Sequence, residues 1–168
     1  MVRRILVGAL ALVGLGLGVL VAGSLLSLDW SRTHSARTAA LPQLDASTSQ
    51  GLVRIEANGL VFRARVAGFD SAGPGLVLLH GYPESSAMWE PLIAEAAGRG
   101  YRVIAFDQRG FGRSRCAPEA RHPRHFAADL AAVLDAARVR RVAIVCQSLG
   151  GWCGLPFALA HPEYWRER

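Results

Sequence analysis

At 168 residues the chain has the length of one domain, and a content of 51% hydrophobic against 19% charged residues excludes disorder throughout. Its net charge of +6 comes from nineteen basic residues, all arginine and scattered along the sequence, which argues against a nucleic-acid partner. Three dispersed cysteines, Cys116, Cys146 and Cys153, make neither a disulfide framework nor a zinc cluster. No metal or cofactor is therefore expected, and Cys146 and Cys153 are expected to pack as small hydrophobes.

Ile5 to Leu28 is a run of 24 residues without a charge, preceded by Arg3 and Arg4. As a helix it reaches roughly 36 Å, enough to cross an apolar bilayer core of about 30 Å. Its length exceeds the usual apolar core of a signal peptide, so residues 1–28 are expected as a single-pass membrane anchor rather than a cleaved segment. The paired arginines put the N-terminus in the cytoplasm and the remaining chain on the other side, secreted or periplasmic if the segment is cut. Residues 29–50 carry Ser, Thr, Arg and Ala without sustained periodicity and are expected as a flexible linker.

From Leu52 the pattern becomes that of strands. Leu52 to Ala57 and Leu60 to Ala67 flank Asn58-Gly59, a strong hairpin signal, with Phe62, Ala64 and Val66 on one face and Arg63 and Arg65 on the other. Gly75 to Leu79 is a continuous apolar run, the mark of a strand buried on both faces. Ser85 or Ser86 caps a following helix predicted to turn Met88, Trp89, Leu92, Ile93 and Ala96 inward and to stop near Gly98 or Gly100. Tyr101 to Phe106 forms the next strand. Pro118 and Pro123 lead into a helix with Phe126, Leu130, Val133, Leu134 and Ala137 at helical spacing, and Val142 to Cys146 is the last strand. Strands alternating with helices predict a mostly parallel α/β sheet covered on both faces, with chemistry at the C-terminal strand ends.

Three loops with unusual residues fall at those ends: His80-Gly81-Tyr82-Pro83, Asp107 to Ser114, and Cys146-Gln147-Ser148-Leu149-Gly150-Gly151. The last reads as strand, sharp turn and helix with Ser148 at the apex, where a strained backbone projects a side chain above the sheet. Ser148 is the candidate nucleophile. Cys146 stands where the G-x-S-x-G pattern has its first glycine.

Together, in this order, the loops resemble those of the α/β-hydrolase superfamily: an HGxP-type loop, a DxRGxGxS-type loop and a nucleophile elbow. The resemblance covers about Leu52 to His161 and makes residues 51–168 a partial α/β-hydrolase domain. It implies that Ser148 attacks a carbonyl carbon and that the backbone N–H groups of Tyr82 and Leu149 form the oxyanion hole. His80, Gly81, Pro83, Asp107, Gly150 and Gly151 are implied as supporting residues, with the Tyr82-Pro83 bond cis. Serine at the apex, rather than aspartate, makes the substrate a small-molecule ester, thioester, lactone or similar carbonyl compound.

The family supplies nucleophile, acid and histidine in that order, and His161 is the sole histidine after Ser148. Thirteen residues of helical rise separate the two by roughly 20 Å, too far for proton transfer. The sequence runs out at Tyr164 to Arg168 without the further strands that would carry the acid and base, which predicts an uncovered apolar last strand. The sequence therefore reads as a membrane-anchored serine hydrolase truncated before its acid and histidine, or completed by another chain. The alternative is a non-catalytic remnant serving as a membrane-tethered interaction module.

Overall fold

The computed structural model describes residues 36–114 and 122–165. The expected membrane segment, Cys116 and the Pro118 part of the loop lie outside the described residues; among those described, no helix is long and apolar enough to cross a membrane.

Strands β1 (Gly51–Ala57) and β2 (Leu60–Ala67) form the predicted hairpin, paired antiparallel from Gly51↔Val66 to Ala57↔Leu60. Asn58 and Gly59 turn it with φ of 49° and 70°, the positive values that a two-residue turn of this hand requires. Strands β3 (Gly75–Leu79), β4 (Arg102–Phe106) and β5 (Val142–Cys146) complete one five-stranded sheet in the order β1-β2-β4-β3-β5. β3 pairs parallel with both β4 and β5, whereas β2 pairs antiparallel with β4. The sheet is thus mixed rather than mostly parallel. The tight turn at Asn58-Gly59 reverses the chain, so β2 runs against both of its neighbours.

Alternate residues of the parallel strands serve two cores, as the pleat dictates. Leu76, Leu78, Val103 and Ala105 pack with Ile93 and Ala96 of helix α1 (Glu90–Gly98). Val77, Leu79, Ile104 and Phe106 face the opposite way, toward α2 (Pro123–Ala136) and α3 (Leu149–Ala160). On α2 the residues Phe126, Leu130, Val133 and Leu134 are buried as their spacing predicted, each large side chain contributing about 1.5–3 kcal/mol. Phe157 of α3 joins the same core, while Trp152, Leu155 and Leu159 are exposed.

Three local expectations are corrected. Leu92 does not turn inward but is 36% exposed, because Ser86–Trp89 forms a 3₁₀ turn whose tighter winding resets the phase before α1 begins. Cys146 is exposed, since β5 is an edge strand, and only Cys153 is buried among the described thiols. The described part of the linker is docked on the domain: Leu44 is buried in the core, Gln43 bridges to Arg54, and Arg54 N–H donates to the Pro42 carbonyl at 2.9 Å. Single anchoring residues have no period, so this docking leaves no pattern in the sequence.

Among the described residues β5 lies at one edge of the sheet, with Val145 38% exposed. Helices lie on both faces of the sheet, and α3 packs on β5, where Gly154 approaches Cys146 and Ile144.

Candidate active site

Ser148 sits between β5 and α3 with φ 48° and ψ −115°, outside the left-handed helical basin that non-glycine residues with positive φ usually occupy. Such strain persists where surrounding contacts fix it. Here Gln147 N–H donates to the Leu79 carbonyl at 3.0 Å, while Gly150 and Gly151 N–H close the turn on the Gln147 and Ser148 carbonyls, both at 2.8 Å. Gly150 lies directly on the end of β3: a Cβ there would fall 2.9 Å from the Leu79 carbonyl carbon and closer still to its oxygen. Ser148 is exposed, so the strain presents its hydroxyl to solvent rather than to the core.

The His80–Pro83 loop abuts this elbow. A Cβ on Gly81 would collide with the Gln147 side chain and lie 3.0 Å from Ser148 Cβ, so glycine lets the two loops meet. The Tyr82-Pro83 bond is cis. Among the described residues no backbone carbonyl accepts from Tyr82 N–H or Leu149 N–H. These are the two donors that the sequence singled out.

His80 is fully buried and its two ring nitrogens have opposite roles. Gln108 N–H donates to Nε2 at 3.0 Å, which leaves the proton on Nδ1, 2.8 Å from the Gly81 carbonyl that accepts it. Burial pushes its pKa below the usual histidine range, in keeping with the neutral ring. The Gln108 side chain returns a bond from Nε2 to the His80 carbonyl at 2.6 Å. His80 therefore braces one loop against the next and has no nitrogen left to serve Ser148.

Asp107 is likewise fully committed. Its Oδ1 accepts from the Ser86 N–H at 2.8 Å and the Ser86 hydroxyl at 2.6 Å, and its Oδ2 accepts from Arg113 N–H at 2.8 Å. One carboxylate thus joins the start of the 3₁₀ turn after β3 to the loop after β4. His161, at the far end of α3, stacks on Phe157 and pairs through Nδ1 with Glu163 Oε1 at 3.0 Å. Neither group faces the elbow.

Asp129 was not among the residues singled out from the sequence. It is 1% exposed on α2, accepts from Arg109 through both Oδ1 and Oδ2, and accepts from Asn58 Nδ2 at 2.7 Å. This pair ties the Asp107–Ser114 loop to α2 and to the hairpin turn. Its trace in the sequence is an aspartate three residues after Phe126 and four before Val133, a charge on the buried stripe. Cys153, on α3 beneath the elbow, is buried, which pushes its thiol pKa up to about 12 and makes it an inert packing group. Among the described residues no cluster of His, Cys, Asp and Glu could hold a metal.

Residues 74–165 match the sequence profile of the alpha/beta hydrolase fold family. Over 96 residues the chain is 40% identical to epoxide hydrolase B of Mycobacterium tuberculosis, covering 56% of this chain and 27% of that protein. It is 41% identical over 80 residues to a non-heme haloperoxidase of Rhodococcus erythropolis, covering 48% and 29%. The crystal structure of epoxide hydrolase VrEH1 from Vigna radiata superposes with a TM-score of 0.63 at 29% identity, covering 70% of this chain and 38% of that one. The chain thus spans less than a third of the length of these two curated relatives. With the family profile covering more than half of its length and the three loops in family order at one end of the sheet, the chain belongs to the alpha/beta hydrolase fold family.

Proposed function

We propose that Ser148 is the nucleophile of a serine hydrolase acting on carbonyl compounds such as esters, thioesters or lactones. The observation that supports this reading is the close approach of Gly81 to the strained elbow, a Cβ on Gly81 falling 3.0 Å from Ser148 Cβ, and in this reading Tyr82 N–H and Leu149 N–H are the oxyanion donors. In the reaction Ser148 Oγ loses its proton to a base and bonds to the carbonyl carbon; the oxyanion is met by the two N–H groups. Collapse expels the alcohol, which takes up a proton, and water then cleaves the acyl-serine ester to return acid and free serine. The field at the N-terminus of α3 favours the oxyanion as well.

Although relatives named epoxide hydrolases stand nearby, serine suits a carbonyl substrate better. A serine alkoxide that opened an epoxide would leave an ether, which water does not readily cleave, whereas attack on a carbonyl leaves an ester that it does. Neither His80, spent on its own loop, nor His161, paired with Glu163, is free to act as the base for Ser148. Turnover thus requires an acid and a base other than these two histidines. A chain without them is a membrane-tethered binding module, the second reading that this observation favours.

The apolar run Ile5 to Leu28 anchors the protein, and the arginines before it leave the hydrolase domain on the non-cytoplasmic side. Incubation of the purified chain with a fluorophosphonate tests the central claim: covalent labelling that disappears in Ser148→Ala supports it. Labelling that survives the substitution, or is absent from the wild type, refutes an activated Ser148.

A further inference from the structure

Away from the elbow, the sheet brings two arginines together. Arg63 on β2 precedes Ala64, which pairs with Phe106 at the end of β4, and Arg113 lies on the loop that follows β4. Backbone bonds fix both positions. Asp107 N–H donates to the Arg63 carbonyl at 2.8 Å, and Arg63 N–H donates to Ser114 Oγ at 3.2 Å. Arg113 N–H donates to Asp107 Oδ2 at 2.8 Å, and the hydroxyl of Thr38, 2% exposed, donates to the Arg113 carbonyl at 2.8 Å. Both arginines are half-buried. Yet among the described residues neither guanidinium has a hydrogen-bonded or ion-paired acceptor, whereas Arg65 beside them pairs with Glu90 at 2.8 Å. The Asp107 carboxylate accepts from the Ser86 N–H, the Ser86 hydroxyl and the Arg113 backbone, not from either side chain. Burial pushes the Arg63 pKa below the usual arginine range, and Arg113 and Arg65 push it the same way against Asp107 and Glu90. Half-buried charge without a counter-ion is costly, so two such groups held side by side call for an anion. A carboxylate has two oxygens, which one guanidinium fork satisfies; two forks and two charges match a tetrahedral dianion.

We infer that Arg63 and Arg113 form a binding site for a phosphate group, carried as the free ion or as a phosphate monoester. In the strand order β2-β4-β3-β5, three spacings of about 4.8 Å separate β2 from β5, so the site stands roughly 14 Å from the strand that leads to Ser148. It is therefore independent of the nucleophile reading. The bound group joins β2 to the Asp107–Ser114 loop through both side chains.

Phenylglyoxal modification of the full chain in neutral detergent, read by peptide mass spectrometry, tests the site without any substitution. Inorganic phosphate at about four times its Kd should slow modification of Arg63 and Arg113 roughly fivefold relative to chloride at equal ionic strength. Arg99, exposed on the far end of α1 and paired with Glu95, should react unchanged. Thermal unfolding gives the second readout: phosphate should raise the melting temperature of the wild type by a few degrees, Arg63→Gln and Arg113→Gln should each lose that gain, and Arg99→Gln should keep it. In chloride alone Arg113→Gln should melt no lower than wild type, because it relieves the repulsion; a lower melting temperature overturns the unpaired-charge argument. Glycerol 3-phosphate separates the two sources. Protection by this monoester assigns the site to a phosphorylated molecule, and protection by inorganic phosphate alone assigns it to the free ion. Modification of Arg63 and Arg113 that neither anion slows, or a phosphate gain that survives both substitutions, overturns the site.

Discussion

Gly150 and Gly151 are neighbours in the first turn of α3, yet alanine at the two positions should act in opposite directions. A Cβ at Gly150 falls 2.9 Å from the Leu79 carbonyl carbon and 3.0 Å from Leu79 Cβ, whereas at Gly151 it meets nothing within 4 Å. Because the obstruction at Gly150 is backbone at the buried end of β3, relief requires the start of α3 to move outward by about 1 Å, a displacement that costs on the order of 100-fold where catalytic groups must align. Overpacking of this kind destabilises by about 1–3 kcal/mol. At Gly151 the substitution should instead stabilise by a few tenths of a kcal/mol, up to about 1, through the gain in helix propensity. Thermal unfolding of both variants, followed by tryptophan fluorescence, gives the first comparison: Gly150→Ala should melt several degrees lower than wild type and Gly151→Ala no lower. The fluorophosphonate labelling rate gives the second, with a loss confined to Gly150→Ala. Equal melting temperatures and equal labelling for the two variants would refute the packing of α3 on β3 as the support of the elbow.

Asp129→Ala should destabilise by about 3–5 kcal/mol, measured by denaturant unfolding, because it removes the carboxylate that Arg109 and Asn58 share inside the fold; a change below about 1 kcal/mol would mean that the pair is dispensable. His80 has its folded-state pKa held below the unfolded value of 6.5, so the unfolded chain takes up the proton first and stability is lost as pH falls below about 6.5. His125 is shifted the same way, again chiefly by burial, so the slope of stability between pH 7 and 5 should shrink in His80→Gln but not vanish. An unchanged slope would argue against a neutral His80. Gly154→Ala should destabilise on its own, since its Cβ would lie 2.7 Å from Cys146 Sγ, and the double variant Cys146→Gly, Gly154→Ala should recover most of that loss. Additive losses would show that the two positions do not trade volume.

Features encoded within a few residues were legible in the sequence: the Asn58-Gly59 turn with its register, the buried stripe of α2, and the three loops that follow β3, β4 and β5. What it left unread depends on partners far along the chain. Alternation in β2 specifies which residues face the core but not which strand lies alongside, so the antiparallel seam with β4 went unseen. Thr38 and Leu44 anchor residues 37–50 one side chain at a time and produce no periodicity. The phase of α1 depends on whether Ser86–Trp89 winds as α or 3₁₀, which helix propensity does not decide. In each case a pairwise contact with a distant residue overrides the local signal.

The same division governs the site. A nucleophile elbow is built by neighbours: the Gln147 and Ser148 carbonyls, two glycines, and the end of the strand beneath, with Gly154 making the room that Cys146 takes up. The oxyanion loop needs only one further contact, through Gly81. Proton transfer is different, because it demands a base within about 3 Å that is not already paired. The histidine adjoining the oxyanion loop fails that demand for a reason visible in its own bonds: a backbone donor occupies Nε2, and the Gly81 carbonyl takes the Nδ1 proton. Recruiting His80 as the base would break the brace between the His80–Pro83 and Asp107–Ser114 loops, and with it the placement of Tyr82 N–H. Activation of Ser148 and preservation of the oxyanion hole therefore exclude one another if His80 is the base. If Ser148 is the proposed nucleophile, its base is a group other than His80 that reaches it from the exposed side of the elbow.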